Sequence, residues 1–216
     1  MIEYNTVLVI GAHYDDIELG CGGTIARLIK EGAKVTAVII SNSEIKGENN
    51  KIIRSKKIAK KEGLNGLKIL GIKKVINFDI DIFDFNKKKN IISKKLNQIV
   101  EKNKYDTLFT HWCYDPHIDH REIGNMSIWL SRKIEKIFQY RSNYYMSDKN
   151  FKENYYFDIS STLELKKKAL LAHNSEMKRN NYKWFNYFVN NSKNNGIKIN
   201  TLAAEGFVSF KIIDKS

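Results

Sequence analysis

The chain has 216 residues, 42% of them hydrophobic and 28% charged, and a formal net charge of +13. This composition suits one globular domain, which we expect to span residues 1–216, and no run reaches the roughly 18 to 20 apolar residues of a membrane span. Only 6 of the 37 basic residues are Arg, the side chain that makes bidentate contacts with phosphates and bases, so the charge does not predict a nucleic-acid partner.

Strands and helices alternate through the first two thirds of the chain. Apolar, β-branched runs predict strands at residues 6–11, 34–41, 75–79 and 106–112. Runs with an apolar face predict helices at residues 17–30, 52–62 (extending towards Leu70), 88–102 and 120–134. This alternation predicts a Rossmann-like three-layer α/β fold with a mainly parallel sheet.

The last third is less regular. We expect strands at residues 138–141, 154–159 and 206–211, and helices at 162–178 and 182–191. The Asn-rich stretch 190–195 is expected to be an exposed loop, and lysine runs such as Lys166–Lys168 to be solvated helix faces.

Two clusters of imidazoles and carboxylates follow predicted strands. The first contains His13, Asp15, Asp16 and Glu18, and the second runs from Asp115 through His117 and Asp119 to His120. Because ligands of parallel α/β sheets bind at the carboxyl ends of the strands, the two clusters should meet at one edge. Glu18 is the exception, since a carboxylate in the first helical turn suits the helix dipole.

The residue types in these clusters are those of a hydrolytic zinc site. Two imidazoles and one carboxylate, from His13, Asp16 and His120, would leave a position for water, whose pKa a zinc ion lowers to about 7. Asp15 could take the proton of that water as general base. His117 could stabilise an oxyanion or act as the acid, with Asp119 holding its ring and raising its pKa.

Two other classes of function remain open at this point. Asp15, Asp16 and Asp115 could gather magnesium in a phosphoesterase, although imidazoles favour zinc or iron. A non-catalytic protein that binds sugars or nucleic acids would need none of these ligands.

The motifs resemble those of the PIG-L/LmbE-like deacetylases, zinc enzymes that remove the acetyl group of N-acetylglucosamine-type sugars. The resemblance is carried by Ala-His-x-Asp-Asp-x-Glu at residues 12–18, Leu-Gly-Cys-Gly-Gly-Thr at 19–24 and His-x-Asp-His at 117–120. Residues 172–179 and 203–207 are similar to C-terminal signatures of a bacterial branch. The resemblance implies zinc on His13, Asp16 and His120, Asp15 as the base, and His117 with Asp119 as the assisting pair.

Two departures from the family pattern concern substrate contacts. Tyr14 stands where the family has Pro, and its phenol is expected to reach into the pocket. The family places an Arg three residues before a Glu in the helix after the second strand. Here Ala59 stands three residues before Glu62, and the nearest Arg is Arg54, eight residues before Glu62. Arg54, Tyr14 and Asp115 are our predicted substrate contacts.

The expected partner is a small N-acetyl sugar, free, nucleotide-linked or part of a glycan precursor. The loops at residues 41–50 and 79–85 should shape its pocket, and an aromatic side chain such as Trp184 could stack on a pyranose. The two cysteines and the start of the chain, which lacks a basic leader region, predict a cytoplasmic protein. The sequence leaves open whether the protein is a homo-oligomer.

Overall fold

A mostly parallel sheet forms the centre of the molecule, which we describe from a computed structural model covering residues 3–213. Met1, Ile2 and residues 214–216, which the single-domain prediction includes, lie outside the described residues. Nine strands are assigned within residues 3–213: β1 (Thr6–Gly11), β2 (Lys34–Ser41), β3 (Ile45–Lys46), β4 (Ile52–Arg54), β5 (Lys74–Ile80), β6 (Thr107–His111), β7 (Lys136–Tyr140), β8 (Tyr155–Asp158) and β9 (Ala204–Ile212).

Seven of these strands form the main sheet of the described region, in the order β5-β2-β1-β6-β7-β9-β8. The five strands from β5 to β7 are parallel, whereas β9 runs antiparallel to both β7 and β8. β3 and β4 form a separate antiparallel hairpin. The fold is therefore the predicted α/β type, with the irregularity confined to its last strands.

Helices cover both faces of the sheet. They are α1 (Asp16–Gly20), α2 (Gly22–Lys30), α3 (Lys56–Ile69), α4 (Lys89–Lys102), α5 (Ile118–Ile128), α6 (Leu163–Leu171), α7 (Asn174–Arg179) and α8 (Lys183–Lys198). Alternate residues of β1 enter opposite core clusters, Val7 and Val9 on one side and Leu8 and Ile10 on the other. This double burial explains why β1 is apolar along its whole length.

Several predicted helices differ from the observed ones. The helix expected at residues 17–30 is two helices that meet at Cys21, and the one expected at 162–178 is divided between α6 and α7. The stretch Ile52–Arg54, expected to begin a helix, is strand β4. The helix begins only at Lys56, because the Ser55 side chain caps α3 by accepting a hydrogen bond from the backbone N–H of Ile58.

The Asn-rich stretch 190–195 is helical, not the expected loop. It lies within α8, where the Ser192 and Asn195 side chains are buried and the Ser192 hydroxyl donates to the carbonyl of Phe188. Packing of one helix face therefore outweighs the weak helix propensity of asparagine. Within residues 3–213, no helix is both long and apolar enough to cross a membrane.

Candidate metal centre and active site

Adjacent strands bring the two clusters together. β1 pairs directly with β6 in parallel, with Val9 opposite Phe109, so the loops that follow both strands leave the same edge of the sheet. α1 begins at Asp16 in the first loop, and α5 begins at Ile118 in the second. The site therefore lies at the carboxyl edge of the sheet, as the sequence predicted.

His13, Asp16 and His120 converge on one point. Nδ1 of His13 lies 3.3 Å from Nε2 of His120 and 3.4 Å from Oδ2 of Asp16, while Nε2 of His120 lies 3.2 Å from Oδ1 of Asp16. Atoms bound tetrahedrally to one zinc ion at about 2.0–2.1 Å are roughly 3.3–3.4 Å apart. The spacing and the donor types of the three side chains thus fit a zinc ion.

Both imidazoles are oriented by carboxylates on their far side. Nε2 of His13 lies 3.0 Å from Oδ2 of Asp119, and Nδ1 of His120 lies 3.5 Å from Oδ1 of Asp115 and 3.2 Å from the Asn143 amide. Such outer partners fix the ring orientation of metal-binding histidines and raise their basicity.

These contacts correct two expectations about the aspartates. Asp119 contacts His13 rather than His117, because Oδ2 of Asp119 is also held by the backbone N–H of Phe83. Asp115 is fully buried and is not among the residues that line the cavity beside the centre. It accepts from the backbone N–H of His117 and from the Asn143 amide, so it orients the second loop instead of facing substrate.

The buried carboxylates favour positive charge at this centre. Burial alone would lower the pKa of His13, but its contacts with Asp119 and Asp16 outweigh burial and raise that pKa to about 10. Burial likewise opposes protonation of His120, yet Asp16 and Asp115 raise its pKa to about 9. A divalent cation would satisfy the same carboxylates in place of these protons.

Two further side chains contact Asp16, and neither was predicted from the sequence. The hydroxyl of Ser142 donates to Oδ1 of Asp16 over 2.7 Å, and Nε2 of His111 lies 3.2 Å from Oδ2. His111 is the last residue of β6, and its ring stacks on His120 with centroids 4.2 Å apart. Its position at the end of a buried strand was a signal that could have identified it.

Asp15 occupies a strained backbone conformation beside the centre. Its φ of 126° lies in a region that residues other than glycine rarely adopt, and such strain is concentrated at functional sites. The residue lines the cavity, and burial together with the adjacent Asp16 raises its pKa to about 7.

The side chain of His117 is positioned by stacking against two neighbouring aromatic rings. Its imidazole stacks on the imidazole of His120 and on the phenyl ring of Phe83, with ring centroids 4.4 Å and 5.9 Å away. Burial and the neighbouring His120 and His13 lower its pKa to about 3, which corrects the expectation of a raised value.

A cavity of about 450 Å³ opens onto this centre. The loops expected to shape the pocket do so, because its walls include Asn42–Lys46 and Asp81–Phe83. Tyr145, Arg179 and Trp184 complete the walls, so Trp184 is the aromatic residue of α8 that faces the pocket.

Arg54 lines the cavity within a network of buried charges. Its guanidinium lies 3.2 Å from Glu62 and 3.4 Å from Glu176, and Glu176 also accepts two hydrogen bonds from Arg179. The carboxylate of Glu62 is held in turn by the backbone and hydroxyl of Ser175. The network connects the β3–β4 hairpin to α3 and α7 along one wall of the cavity.

Tyr14 does not reach the pocket as expected. Its side chain is buried in the core on one side of the sheet, where its ring passes directly over Gly63, a position at which any Cβ would clash with the ring. Its hydroxyl has no hydrogen-bond partner among the described residues. Tyr14 therefore contributes packing.

Two buried ion pairs involve Glu18 and Lys166, two further residues discussed from the sequence. Glu18 lies in the first turn of α1 as expected, but it is also buried, and its Oε1 lies 3.0 Å from Nε2 of the fully buried His173. Lys166 is not on a solvated face, since its Nζ donates to Oε1 of Glu205 over 2.5 Å and to the Leu19 carbonyl over 2.7 Å.

The matches to known proteins agree with this site. The family model described as PIG-L, GlcNAc-PI de-N-acetylase, matches residues 8–129, which include every residue of both clusters. The protein named "Uncharacterized deacetylase YaiS" of Escherichia coli strain K12 is 32% identical over 142 residues, covering 63% of this chain and 73% of that protein.

Solved structures share the fold over almost the whole chain. N,N'-diacetylchitobiose deacetylase from Pyrococcus horikoshii, complexed with its inhibitor MPG, superposes with a TM-score of 0.77 at 25% identity, covering 96% of this chain and 84% of that one. GalB, the 4-carboxy-2-hydroxymuconate hydratase from Pseudomonas putida KT2440, has a TM-score of 0.79 at 18% identity, with 98% of each chain covered. The second likeness shows the fold alone.

The class defined by this fold and site is that of the de-N-acetylases. The chain belongs to the PIG-L family.

Proposed function

We propose that this protein is a zinc-dependent deacetylase that hydrolyses the acetamide of an N-acetylated amino sugar. The observation that carries the proposal is the His13, Asp16 and His120 triad, with mutual separations of 3.2–3.4 Å, beside a cavity that Asp15 and His117 also line. The similar enzyme from Pyrococcus horikoshii, named for a diacetylated sugar, supports the substrate class.

A zinc ion in this centre would supply Lewis acidity towards an amide carbonyl and make water nucleophilic at neutral pH. Asp15, beside the triad, is placed to accept a proton from water as oxygen attacks the carbonyl carbon. His117 faces the same cavity and would donate a hydrogen bond to the developing oxyanion. The C–N bond would then break as the proton held by Asp15 passes to the amine nitrogen, and acetate and the free amino sugar would leave.

The cavity wall that contains Arg54 would hold the rest of the substrate. Arg54 lies there with its charge largely matched by Glu62 and Glu176, so we assign it to hydrogen bonding with sugar hydroxyls. The substrate panel below distinguishes a free sugar from a nucleotide-linked one. A cytoplasmic location remains a prediction from the sequence.

The test is acetate release by zinc-loaded protein. N-acetylglucosamine, N,N'-diacetylchitobiose and a nucleotide-linked N-acetylglucosamine form the substrate panel, with Asp15→Asn as the matched variant. We expect acetate from at least one sugar, and from none with Asp15→Asn, although that variant should still bind zinc because Asp15 is not one of the three ligands.

Two outcomes would contradict the proposal. One is zinc-loaded protein that releases no acetate from any member of the panel. The other is an Asp15→Asn variant with nearly normal turnover. Protein that purifies without zinc and hydrolyses phosphate esters in magnesium would support the phosphoesterase alternative instead.

A further inference from the structure

Phe83 combines two features that an ordinary surface residue lacks. Its φ is +66°, a left-handed conformation that is rare for bulky side chains, and 66% of its surface is exposed. Burying the ring does not offset this strain, because most of the ring faces solvent. Strained residues are concentrated at active sites and where ligands are bound.

The backbone of Phe83 explains why the turn is held but not why the side chain is aromatic. Its N–H donates over 3.1 Å to Oδ2 of Asp119, the same oxygen that lies 3.0 Å from His13. Glycine or asparagine would make that bond with less strain. The choice of phenylalanine therefore needs a reason that lies in the ring itself.

The ring forms part of the cavity wall directly beside the reacting groups. It stacks on the imidazole of His117 with an interplanar angle of 14° and lines the same cavity as Asp15 and His13. Phe85, two residues later, shows the contrast, because it is fully buried and stacks behind His13 as part of the core. Phe85 supports the centre, whereas Phe83 faces what enters the cavity.

We propose that Phe83 is a specificity residue on which the sugar ring of the substrate stacks, so that the site prefers acetamides attached to a pyranose. This inference rests on the proposed function. A pyranose presents a face of C–H groups, and the electron-rich face of an aromatic ring is complementary to it. Stacking there would orient the acetamide towards Asp15 and the metal centre.

The experiment compares a sugar acetamide with an acetamide that has no ring. The kcat/KM of N-acetylglucosamine is divided by that of N-acetylethanolamine for wild type, Phe83→Gly and Phe83→Trp. Glycine removes the aromatic ring and adopts the positive φ of this position without strain. Tryptophan retains an aromatic ring on which a sugar could stack. Phe210→Ala is the matched control, since Phe210 is an exposed phenylalanine of β9 outside the cavity lining.

We expect the ratio to fall about two- to tenfold in Phe83→Gly, and to be kept in Phe83→Trp and Phe210→Ala. An equal loss for both substrates would overturn the inference, because Phe83 would then merely support Asp119 and His13. An unchanged ratio would overturn it as well.

A binding measurement separates this inference from the proposed function. If the wild type releases acetate from no sugar of the panel, the proposed function fails, and saturation-transfer NMR with N-acetylglucosamine still tests Phe83. Transfer from protein aromatic protons to the sugar ring should be lost in Phe83→Gly. Transfer that persists in that variant would refute the stacking role.

Discussion

The ring nitrogens Nδ1 of His13 and Nε2 of His120 lie 3.3 Å apart although 107 positions separate the two residues in the chain. Their proximity follows from the direct pairing of β1 with β6, which places the two loops side by side. The carboxylate of Asp16 contacts both nitrogens, with Oδ2 lying 3.4 Å from Nδ1 of His13 and Oδ1 lying 3.2 Å from Nε2 of His120. The centre is therefore shared between both loops, and neither loop alone could hold a metal ion.

Replacing one of these imidazoles should empty the centre. We expect the zinc content of His120→Ala to be no higher than background after reloading, because the two remaining ligands cannot hold a hydrolytic zinc ion tightly. Atomic emission on chelator-treated, zinc-reloaded protein measures this. His117→Ala is the matched control and should retain one zinc ion per chain while losing turnover. Stoichiometric zinc in His120→Ala would show that the ligand set is wrong.

The contact between Asp119 and His13 should tune metal affinity. Asp119→Asn weakens the acceptor on the far side of the His13 ring, and loss of such a partner lowers metal affinity about 10–100-fold. Competition with a zinc-binding dye measures the change without any assay of turnover. Asp84→Asn neutralises an aspartate of the loop after β5, which also contains Phe83, and Asp84 pairs only with Lys87 in the described structure, so the zinc affinity of this variant should match the wild type. Equal affinities in the two variants would exclude the assigned role.

The buried pair of Lys166 and Glu205 should dominate the stability of the C-terminal third. Lys166→Met leaves an unpaired carboxylate in the core, and breaking a buried pair costs about 3–5 kcal/mol of unfolding free energy. Lys168→Met on the same helix serves as the control, since Lys168 is exposed and a surface substitution changes stability by less than about 0.5 kcal/mol. Chemical denaturation followed by circular dichroism measures both. Similar midpoints for the two variants would argue against the pair.

Two buried tyrosines provide a matched test of packing against hydrogen bonding. The hydroxyl of Tyr140 donates to the Ile10 carbonyl over 2.7 Å, whereas that of Tyr14 has no partner within residues 3–213. Tyr140→Phe should therefore lower the unfolding free energy by about 0.5–1.5 kcal/mol, and Tyr14→Phe should leave it unchanged or raise it. Acetate release by Tyr14→Phe should equal that of the wild type. A large loss of activity there would mean that the phenol does contact substrate.

The central part of the fold could be predicted from the sequence because its signals are local. Continuous apolar runs such as Val7–Ile10 indicate strands buried on both faces, and their alternation with amphipathic segments indicates a parallel sheet. The candidate metal centre was predicted by the same reasoning, since His13 and Asp16 directly follow one such strand and His120 lies in the segment after another.

The partners of individual charged groups could not be predicted in the same way. Asp119 lies two residues from His117 in sequence, yet it contacts His13, because the helix that starts at Ile118 turns its carboxylate towards the first loop. Lys166 lies in a lysine run that reads as solvated, and only the tertiary position of Glu205 shows that it is buried. Such long-range pairs depend on the packing of distant elements, which periodicity does not encode.

The carboxylate of Glu205 also accepts hydrogen bonds from the backbone N–H groups of Gly23 and Thr24, 182 and 181 positions earlier in the chain. The last strand thus closes the first turn of α2, which directly follows the short helix that starts at Asp16. A chain emerging from the ribosome would complete this junction only after β9 has been synthesised, so metal loading should follow the synthesis of β9. Protein truncated before Ala204 should accordingly be recovered without bound zinc, whereas zinc bound by such a fragment would show that the centre matures independently of β9.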